Sequence, residues 1–437
     1  MQWKTSEYSG WGRALTARGA LARPERVSTL VAALAGGGPA IGNRRSYGDA
    51  ALNSGGAAIE MTRMDRLLAF DAETGVLEVE AGATIGALLD VLAPRGWMPA
   101  VMPGTGFATV GGCIANDVHG KNHHVAGSFG QHVLAITLMT RNGPREVTPE
   151  SDRGLFRATM GGLGQTGSIL AARLQLKPIP GQRIHVVETR IPDFDAFIAA
   201  LNASKAEFAV GWVDATARRK CLGRGILEEG ALREGTRPGP PRTSKTVPFN
   251  APGLVLSRPV VTLFNRWYLS RVPDTGRKRT RPLDAFFFPL DGLHDWNRLY
   301  GKRGFHQFQC VVPTEAAPRL KEILVAIAKA GVAAPLAVLK RLGHGRAGHL
   351  SFPMEGYTLA VDFPARQKLP ALYSRLEEMV LDAGGRLYLA KDGLARPGVV
   401  GGMYPELDAW RAEIERADPE GALATDLVRR LKLRAEE

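Results

Sequence analysis

Cysteine is scarce in this sequence of 437 residues, which contains only Cys113, Cys221 and Cys310. The three residues lie far apart, so their spacing gives neither a disulfide framework nor a metal-binding motif. A chain with so little cysteine is typical of a reducing compartment, and we therefore expect a cytoplasmic setting.

Long hydrophobic runs are also missing. No stretch of 18 consecutive apolar residues occurs, so the sequence predicts no transmembrane helix. The first residues, MQWKTSEYSGWGR, lack the apolar core of a secretory signal. With 45% hydrophobic and 23% charged residues the composition is that of a globular protein, and the length predicts about two domains with an ample core.

Acidic residues are few in one middle segment. Residues 217–281 contain 15 Lys and Arg but only four acids, so this basic segment carries +11 of the formal net charge of +13. Such a segment suits an anionic partner: a phospholipid surface, a phosphorylated substrate or nucleic acid. Aromatic residues are sparse there, which weakens the case for nucleic acid. Because the segment is rich in Gly and Pro, we predict a loop with little regular structure, and a merely solvated loop is the alternative.

Glycine, by contrast, is abundant, and its densest concentration organises the chain. Residues 102–131 contain seven glycines among small residues, together with His119, Lys121, His123 and His124. Glycine lets backbone N–H groups approach a flat or anionic ligand closely. The stretch therefore suits a large polar cofactor such as a dinucleotide, while a multi-turn surface loop is the alternative. The histidines lack a convincing metal spacing.

Two further glycine-containing turns flank this stretch. A short strand leads into GNRRSYGD at 42–49, where backbone donors and two arginines suit a pyrophosphate, and GGLGQTG occupies 161–167. Short alternating strands and few helices over the first 180 residues predict an α+β domain, with a hairpin at 133–148 that turns at Asn142-Gly143. No GxGxxG motif opens a long helix, which argues against a simple Rossmann unit.

Taken in order, these motifs resemble a known family. They are GNRRSYGD at 42–49, PGT at 103–105, TVGG at 109–112, DVHGKNHH at 117–124, AGSFG at 126–130, GGLGQTG at 161–167, DWNRLYG at 295–301, VPTE at 312–315, LSFP at 350–353, VDFP at 361–364, GGRLYLAKD at 384–392 and MYP at 403–405. Their ordered sum resembles the decaprenylphosphoryl-β-D-ribose 2'-oxidases, which are FAD-linked oxidoreductases of the vanillyl-alcohol-oxidase type with a PCMH-type FAD-binding domain. The basic segment matches least.

The resemblance implies an α+β architecture of two domains. A two-subdomain FAD-binding domain would comprise residues 1–180 and 386–437, and a substrate (cap) domain built on an antiparallel sheet with flanking helices would comprise 181–385. FAD would be noncovalent, because relatives with covalent flavin carry a His where Arg45 stands. The residues implied to bind FAD are Gly42, Asn43, Arg44, Arg45, Ser46, Tyr47, Pro103, Gly104, Thr105, Thr109, Gly111, Gly112, Asn116, His119, Asn122, His123, Gly127, Ile169 and Tyr388.

The implied reaction oxidises a secondary sugar hydroxyl to a ketone: a base takes the O–H proton while the hydride passes to the flavin. Lys391 lies in the turn that the family places beside the flavin. It would stabilise the anionic reduced flavin, or act as the base if burial lowers its pKa. His119 is the second candidate for base or substrate orientation, since its ordinary pKa is near neutrality. An exposed turn lysine and a histidine that only orders its loop are the alternatives.

Substrate contacts are implied for a further set. Gln307 and Gln309 lie two apart in a predicted strand, so their amides point to one face, where they suit sugar hydroxyls. An exposed strand face is the alternative for both. Lys340 suits a phosphate, while Trp212 fits either a stacking wall or an ordinary core. The implied substrate residues are Tyr47, Trp212, Gln307, Gln309, Lys340, Thr358 and Lys391.

One position departs from the family pattern. The family usually has Asn-x-Cys where this chain has Thr358-Leu359-Ala360. Ala360 has no thiol, so thiolate chemistry is excluded there, although hydride transfer does not require it. Phe287 and Phe288 also replace more polar family residues. These changes reshape the pocket wall and leave the exact sugar and lipid carrier open.

Three functional hypotheses follow. The first is FAD-dependent oxidation of the 2'-hydroxyl of a polyprenyl-phosphate-linked pentose to a 2'-keto sugar, the first half of an epimerisation in cell-wall arabinan precursor synthesis. A partner NAD(P)H-dependent reductase would complete the epimerisation, and the basic segment would hold the enzyme at the anionic inner face of the cell membrane. The second is an FAD-dependent oxidase of a soluble sugar alcohol or aldonolactone. The third, a basic nucleic-acid-binding or scaffold protein, is disfavoured by the density of flavin-loop motifs.

Overall fold

Three large sheets carry the fold. The structure, a computed structural model, describes residues 3–140, 143–235 and 244–434. Its strands are β1 (Lys4–Ser9), β2 (Thr16–Ala22), β3 (Ala40–Ile41), β4 (Ala57–Glu60), β5 (Leu67–Phe70), β6 (Val76–Glu80), β7 (Trp97–Pro99), β8 (Val133–Thr140), β9 (Gly143–Val147), β10 (Ser168–Pro178), β11 (Arg183–Ile191), β12 (Phe208–Val213), β13 (Gly225–Arg233), β14 (Lys245–Thr246), β15 (Arg277–Pro282), β16 (Leu293–His294), β17 (Phe305–Pro313), β18 (Ala337–Leu342), β19 (Gly356–Pro364) and β20 (Arg386–Leu387).

The helices lie between and beyond these strands. They are α1 (Val27–Leu34), α2 (Ile85–Leu92), α3 (Val110–Ala115), α4 (His123–Ala126), α5 (Arg153–Thr159), α6 (Phe194–Ala203), α7 (Arg258–Ser270), α8 (Leu283–Phe287), α9 (Ala317–Ala330), α10 (Leu369–Asp382), α11 (Val399–Met403), α12 (Leu407–Ala417) and α13 (Asp426–Arg430). Mixed helices and largely antiparallel sheets confirm the predicted α+β class. Within the described ranges, no helix combines the length and the apolar character that crossing a bilayer requires.

Two sheets are formed by the first 180 residues. The smaller has the order β1-β2-β4-β3, with parallel pairing of β4 to both β2 and β3. The larger has the order β5-β6-β10-β8-β9, with β7 paired to the end of β10, and all its pairs are antiparallel. The predicted hairpin at 133–148 is confirmed as β8 and β9. Of its predicted turn, Asn142 lies outside the described residues.

The third sheet has eight antiparallel strands in the order β15-β11-β13-β12-β18-β19-β17-β20. Its side chains alternate between two faces, as strand geometry requires. On β17, Phe308 and Cys310 are fully buried in the main hydrophobic core, whereas Gln307 and Gln309 point to the opposite face. The core face is covered by α6, α9 and α10, so the other face is left to form the wall of a cavity.

Local sequence signals explain the ends of these covering helices. Asp193 begins α6 because its carboxylate accepts a hydrogen bond from the N–H of Ala196 at 3.0 Å. Gly331 ends α9 with φ +71°, a left-handed conformation that glycine adopts at little cost. The apolar residues of α9 recur with helical spacing, and Leu320, Ile323 and Ile327 are buried against the sheet.

The basic segment corrects one prediction. It is not a loop with little regular structure, because β13, α7 and all but the last residue of β15 lie within residues 217–281. Three arginines of β15 (Arg277, Arg279 and Arg281) contact the buried carboxylate of Glu188 on β11. Part of the positive charge therefore holds two strands together. The Gly- and Pro-rich composition indicated a loop, whereas the strands form by pairing with residues distant in sequence, which local composition does not predict.

A buried ion cluster joins the two ends of the chain. Arg430 on α13 donates to the carboxylate of Asp49 at 2.7 and 2.8 Å and to that of Asp392 at 2.8 Å. Both carboxylates are almost fully buried. We call these three residues the Arg430 clamp. Because the clamp neutralises two buried charges at once, removing its cation would leave both carboxylates uncompensated.

Replacement of Arg430 by Leu should lower the free energy of unfolding by about 3–5 kcal/mol, the usual cost of breaking a buried ion pair. Urea unfolding followed by circular dichroism measures the change. Arg319→Leu is the matched control, since Arg319 pairs with Glu322 on the exposed surface of α9 and should leave the unfolding curve unchanged. Equal curves for the two variants would contradict a stabilising role for the clamp.

Candidate active site

A cavity of about 520 Å³ lies between the glycine-rich loops and the free face of the eight-stranded sheet. One wall is formed by residues 40–51 and 102–121, with the third glycine turn near Gly164. The opposite wall is formed by side chains of β12, β13, β17, β18 and β19. The turn at Tyr388–Lys391 closes the end between them.

The glycine loops pack against one another so closely that side chains are excluded. A Cβ atom on Gly42 would lie 2.4 Å from Oγ1 of Thr109, and one on Gly111 would lie 3.0 Å from Cβ of Ala81. Thr109 also begins α3, since its Oγ1 accepts a hydrogen bond from the N–H of Gly112 at 3.2 Å. The glycines at these positions are thus required for the loops to meet at the cavity wall.

The wall has the features of a site for a large polar cofactor. A Cβ atom on Gly104 would meet no atom within 4 Å, so this glycine borders open cavity space. Oδ1 of Asn116 and Nε of Arg45 are buried and have no hydrogen-bond partner among the described residues. The guanidinium of Arg45 is held between the rings of Trp11 and Phe107, at 4.2 and 4.6 Å from their centroids. Unpaired buried polar atoms beside an open cradle fit a dinucleotide with amide and phosphate groups.

Most of the predicted cofactor residues lie on this wall. Those that line the cavity are Gly42, Asn43, Arg44, Arg45, Ser46, Tyr47, Pro103, Gly104, Thr105, Thr109, Gly111, Gly112, Asn116, His119, Ile169 and Tyr388. Asn122, His123 and Gly127 do not line it, and their contact with the cofactor stays a prediction. The Asn122 amide donates to the carbonyl of Ala100 at 2.9 Å, and the ring of His123 contacts the backbone of Gly343 and Gly345. These contacts order the loop.

All seven predicted substrate residues line the same cavity. Gln307, Gln309, Lys340 and Thr358 project from the free face of the sheet, and Trp212 joins them from β12. Tyr47 and Lys391 approach from the other side, where Nζ of Lys391 lies 3.7 Å from the centroid of the Tyr47 ring. The two glutamines are buried, so the alternative of an exposed strand face does not apply.

Lys391 is an amine held in an apolar setting. Burial lowers the pKa of Lys391 to about 7, and the nearby charge of Asp362 opposes that shift. No described residue accepts a hydrogen bond from its Nζ. At neutral pH the free amine and the ammonium are therefore both well populated, which is the condition for a group that takes up or holds a proton.

His119 is engaged at both ring nitrogens. Nε2 lies 2.9 Å from the amide nitrogen of Gln309, and Nδ1 lies 3.0 Å from Nζ of Lys340. Burial, reinforced by the charges of Lys340 and His123, holds the pKa of His119 well below its ordinary value, so the ring is neutral. A neutral ring carries one N–H, so if Gln309 donates to Nε2, then Nδ1 donates to an uncharged Lys340. Burial and the charge of Lys121 lower the pKa of Lys340 to about 7, which allows that state.

Three acidic or basic residues at or beside the cavity were assigned no role by the sequence predictions. Lys121 lines the cavity with its ammonium 3.9 Å from the centroid of the Phe286 ring, and burial lowers its pKa to about 8. Asp291 accepts hydrogen bonds from Oγ1 of Thr105 at 2.8 Å and from the N–H of Gly106 at 2.7 Å. Nothing in the sequence around Asp291 connects it to that loop.

The third such residue, Asp362, could have been identified from strand alternation. It lies on β19 two and four residues after Ala360 and Thr358, so strand alternation places it on the same face. It is fully buried, accepts a hydrogen bond from the amide of Gln307 at 2.5 Å, and accepts another from the hydroxyl of Tyr300 at 3.1 Å. Burial raises the pKa of Asp362 to about 7.

The positions that depart from the family also reach the cavity. Ala360 lines it beside Thr358, directly across from Gln309 in the pairing of β17 with β19. Phe287 lines it as well, while Phe288 is buried behind the loop, where a Cβ on Gly106 would lie 3.0 Å from its ring. Thr358, Ala360 and Phe287 therefore change the wall of the cavity, whereas Gln307, Gln309, Lys340 and Lys391 remain in it.

Comparison with known proteins gives consistent results. Residues 25–148 match the family of FAD binding domains. The chain is 37% identical to the decaprenylphosphoryl-β-D-ribose oxidase of Mycolicibacterium smegmatis, over 98% of both chains. It is 23% identical to the L-gulono-1,4-lactone dehydrogenase of Mycobacterium tuberculosis over 97% of this chain and 98% of that one. It is also 32% identical to the L-gulonolactone oxidase of Bos taurus over 35% of this chain and 33% of that protein.

Gly104→Val tests whether the cradle holds FAD. The Cβ of the new side chain would enter open cavity space with no protein atom within 4 Å, so the fold should survive while FAD loses its place. We expect FAD binding to weaken by about 1–3 kcal/mol, the usual cost of overpacking, which corresponds to roughly 5- to 150-fold. The measurement is the ratio of flavin to protein absorbance after purification.

Gly401→Val is the matched control, since its Cβ also meets no atom within 4 Å and it lies outside the cavity. It should retain FAD fully. A Gly104→Val protein that keeps its full flavin content would remove this wall from the cofactor site.

Proposed function

The chain belongs to the decaprenylphosphoryl-β-D-ribose oxidase family of FAD-dependent oxidoreductases, which act on CH–OH groups, and from this premise we propose its substrate, its base and its setting. The substrate is a polyprenyl-phosphate-linked pentose, and the reaction converts its 2'-hydroxyl to a 2'-ketone. A side chain of the protein would take the O–H proton of the carbinol, and FAD, when bound, would accept the C–H hydride.

The observation that carries this substrate class is a group of three buried lysines in the cavity, which is also lined by Glu228, Asp291 and Asp295. Lys121, Lys340 and Lys391 all line it, and burial weakens the hydration of each ammonium. An anionic substrate group would compensate these charges, and a phosphodiester does so at the sugar end of a lipid-linked pentose. A neutral aldonolactone offers no such compensation, which is why we place the soluble sugar substrate second.

FAD would be held by the glycine-lined wall. The backbone of residues 42–47 and 103–112 forms the cradle, and the unpaired Oδ1 of Asn116 and Nε of Arg45 suit its polar groups. Bound FAD supplies a two-electron acceptor for the hydride. We propose that it is noncovalent, because Arg45 occupies the wall between two aromatic rings and a guanidinium forms no flavin bond. The FAD-binding domain is proposed to comprise residues 1–180 and 386–437, and the substrate domain residues 181–385.

Lys391 is the proposed base. Its amine has a pKa of about 7 and no acceptor among the described residues, so the free base is available at neutral pH. Both nitrogens of His119 are already in contact with Gln309 and Lys340. His119 is therefore assigned to orientation: it fixes the Gln309 amide and shares a proton with Lys340. Once protonated, Lys391 becomes a fixed cation that stabilises negative charge developing on the cofactor side.

The remaining substrate residues position the sugar. The Gln309 amide donates to Oγ1 of Thr358 at 3.2 Å, and Asp362 holds the amide of Gln307. Both glutamines are thus oriented, and each keeps its carbonyl oxygen for a sugar hydroxyl. Trp212 and Tyr47 provide aromatic walls, with Trp212 supported by Tyr268 at 4.7 Å between ring centroids.

The product and the setting complete the proposal. A 2'-keto sugar would pass to a partner NAD(P)H-dependent reductase that yields the epimer, within the synthesis of a cell-wall arabinan precursor. A substrate with a polyprenyl tail resides in a bilayer, so the enzyme would work at the inner face of the cell membrane. The excess of Lys and Arg in residues 217–281 supports contact with anionic lipid there.

If Lys391 is the base, the rate of anaerobic flavin reduction by substrate should rise with pH through about 7 and level off above it, since only the neutral amine accepts a proton. Lys391→Ala should keep its FAD but reduce roughly 10²–10⁴-fold more slowly, the usual contribution of a general base. Stopped-flow absorbance of the flavin gives both results.

Two variants separate the roles of Lys391. Lys391→Arg keeps the positive charge but supplies no base, so retained activity would show that charge alone is needed. Asp362→Asn removes the charge that raises the pKa of Lys391, so the rising limb should move to lower pH. A pH-independent rate in the wild-type protein would exclude Lys391 as the base.

The substrate is tested by mixing the purified, flavin-containing protein anaerobically with a polyprenyl-phosphoryl pentose in detergent. Loss of the oxidised flavin spectrum with this lipid, and not with L-gulonolactone or free ribose, is the expected result. Reduction by the soluble sugars alone would overturn the proposed substrate and favour the second hypothesis.

A further inference from the structure

Helix α7 is apolar on two faces. One face is buried against the protein and contains Val261, Asn265 and Leu269. The other contains Val260, Leu263, Phe264 and Trp267, at the i, i+3, i+4 and i+7 spacing of a continuous stripe, and this stripe is exposed. Leu263 is 70% exposed and Trp267 is 56% exposed. A helix on the surface of a globular protein normally presents polar residues there, so the outer stripe calls for a covering partner.

The stripe extends into the segment that precedes the helix. Phe249 is 67% exposed and Leu254 is 75% exposed, with Val255 beside them. Of the fifteen large apolar residues that are exposed in the described ranges, seven lie within 249–267. We call these seven residues the α7 patch. Scattered exposed apolar residues are ordinary, but such a concentration in one short segment marks an interaction surface.

The charges in the segment around the α7 patch are mostly positive. Residues 244–281 contain eight Lys and Arg and a single acid, Asp274. Arg277, Arg279 and Arg281 are paired with Glu188, which leaves five other Lys and Arg in the segment. The carboxylate of Asp274 is paired with Arg190 at 2.8 Å, so it does not offset the charges near the patch. Arg271 stands over the rings of Trp267 and Tyr268, at 5.6 and 5.2 Å from their centroids. An apolar stripe with a basic border is the composition of a helix that lies in the surface of an anionic membrane.

The α7 patch is continuous with the cavity. Tyr268, next to Trp267 on the same helix, lines the cavity and packs against Trp212. Val261, on the buried face, belongs to the hydrophobic cluster that contains Phe305, whose ring contacts that of Tyr47. A ligand tail leaving the cavity beside Tyr268 would therefore emerge next to the exposed stripe.

We propose that α7, with residues 249–255, lies in the headgroup region of an anionic bilayer and delivers the prenyl chain of the substrate to the cavity mouth at Tyr268. The need for a prenyl chain rests on the proposed function; the contact with lipid rests on the α7 patch itself. The positive charge around the patch favours a bilayer over a second copy of the chain as the partner. A two-fold interface would bring the basic borders of two identical patches together, and they would repel each other. Trp267 sits at the edge of the stripe, where its ring and N–H suit the boundary of headgroup and acyl chain.

Co-sedimentation with vesicles tests the contact in the absence of substrate. The protein should bind vesicles of phosphatidylglycerol and phosphatidylcholine and bind pure phosphatidylcholine weakly. Leu263→Glu and Leu254→Glu should each weaken binding to the anionic vesicles roughly tenfold. Each variant removes an apolar side chain that would be buried in the bilayer and adds a negative charge, which the anionic lipid repels. Val31→Glu is the matched control: Val31 is 52% exposed on α1, outside the patch, and its variant should bind as the wild-type protein does.

Brominated lipids give a second readout, because they quench tryptophan fluorescence only at the depth of the acyl chains. Quenching should be strong in the wild-type protein and largely lost in Trp267→Phe. Wild-type vesicle binding by both Glu variants would overturn the assignment of the patch. So would a dimer in analytical ultracentrifugation that dissociates in Leu263→Glu, since it would identify a second copy as the occupant.

Flavin reduction separates this inference from the proposed function. With the lipid-linked sugar in detergent, Leu263→Glu should react like the wild-type protein, and with the same lipid in vesicles it should react several-fold more slowly. Equal rates in vesicles would overturn delivery through α7 while leaving the substrate assignment intact. No reaction of the wild-type protein in detergent would overturn the proposed function, and the vesicle-binding result would still decide the lipid contact.

Discussion

The ion cluster of Arg430 with Asp49 and Asp392 is the constraint on which the site depends. Asp49 ends the first cofactor loop and Asp392 ends the turn that carries Lys391, so one arginine near the end of the chain fixes both. The fit between them is tight: a Cβ on Gly48 would lie 1.6 Å from the carbonyl oxygen of Asp392. Lys391 therefore reaches the Tyr47 ring from a turn that is locked to the loop it faces. A loop and a turn more than 340 residues apart act as one rigid element because their charges are buried together.

The second constraint is the cost of burying amines. Lys340 and Lys391 share one cavity, and each has a pKa lowered to about 7. Their protons are linked to two other groups, the neutral ring of His119 and the buried carboxyl of Asp362. A change of charge at any of these four groups alters the proton affinity of the others. The cavity therefore responds to an incoming anion as a unit, and a phosphate would draw protons onto the lysines at the same time as it binds.

Local periodicity and the order of the motifs made much of the fold and many of the cavity residues predictable from the sequence. Gln307 and Gln309 were placed on one face from strand alternation alone, and the structure confirms it. The same rule would have revealed Asp362, which was overlooked because the motif that contains it suggested no role. A motif identifies a loop but not which of its side chains faces the ligand, and the ring of His123 contacts the backbone of Gly343 and Gly345 rather than lining the cavity. α7 was concealed because its apolar residues occupy two faces within a segment whose Gly, Pro and positive charge suggested a loop.

The two ends of the cavity differ in composition. Polar groups that would take part in the oxidation lie at one end, and the wall that would select the substrate lies at the other. At the sugar end, His119 and Thr358 both contact Gln309, so its amide cannot turn when a neighbouring side chain changes size. Ala360, across the strand pair from Gln309, therefore adds space to the wall without releasing the polar groups that would orient a hydroxyl. At the other end the wall includes Trp212, Ile226 and Tyr268, the last of which adjoins the α7 patch. Divergence within the family can thus alter the wall and the carrier chain it accepts, while the fixed amides, the lysines and the cofactor loops retain the same oxidation.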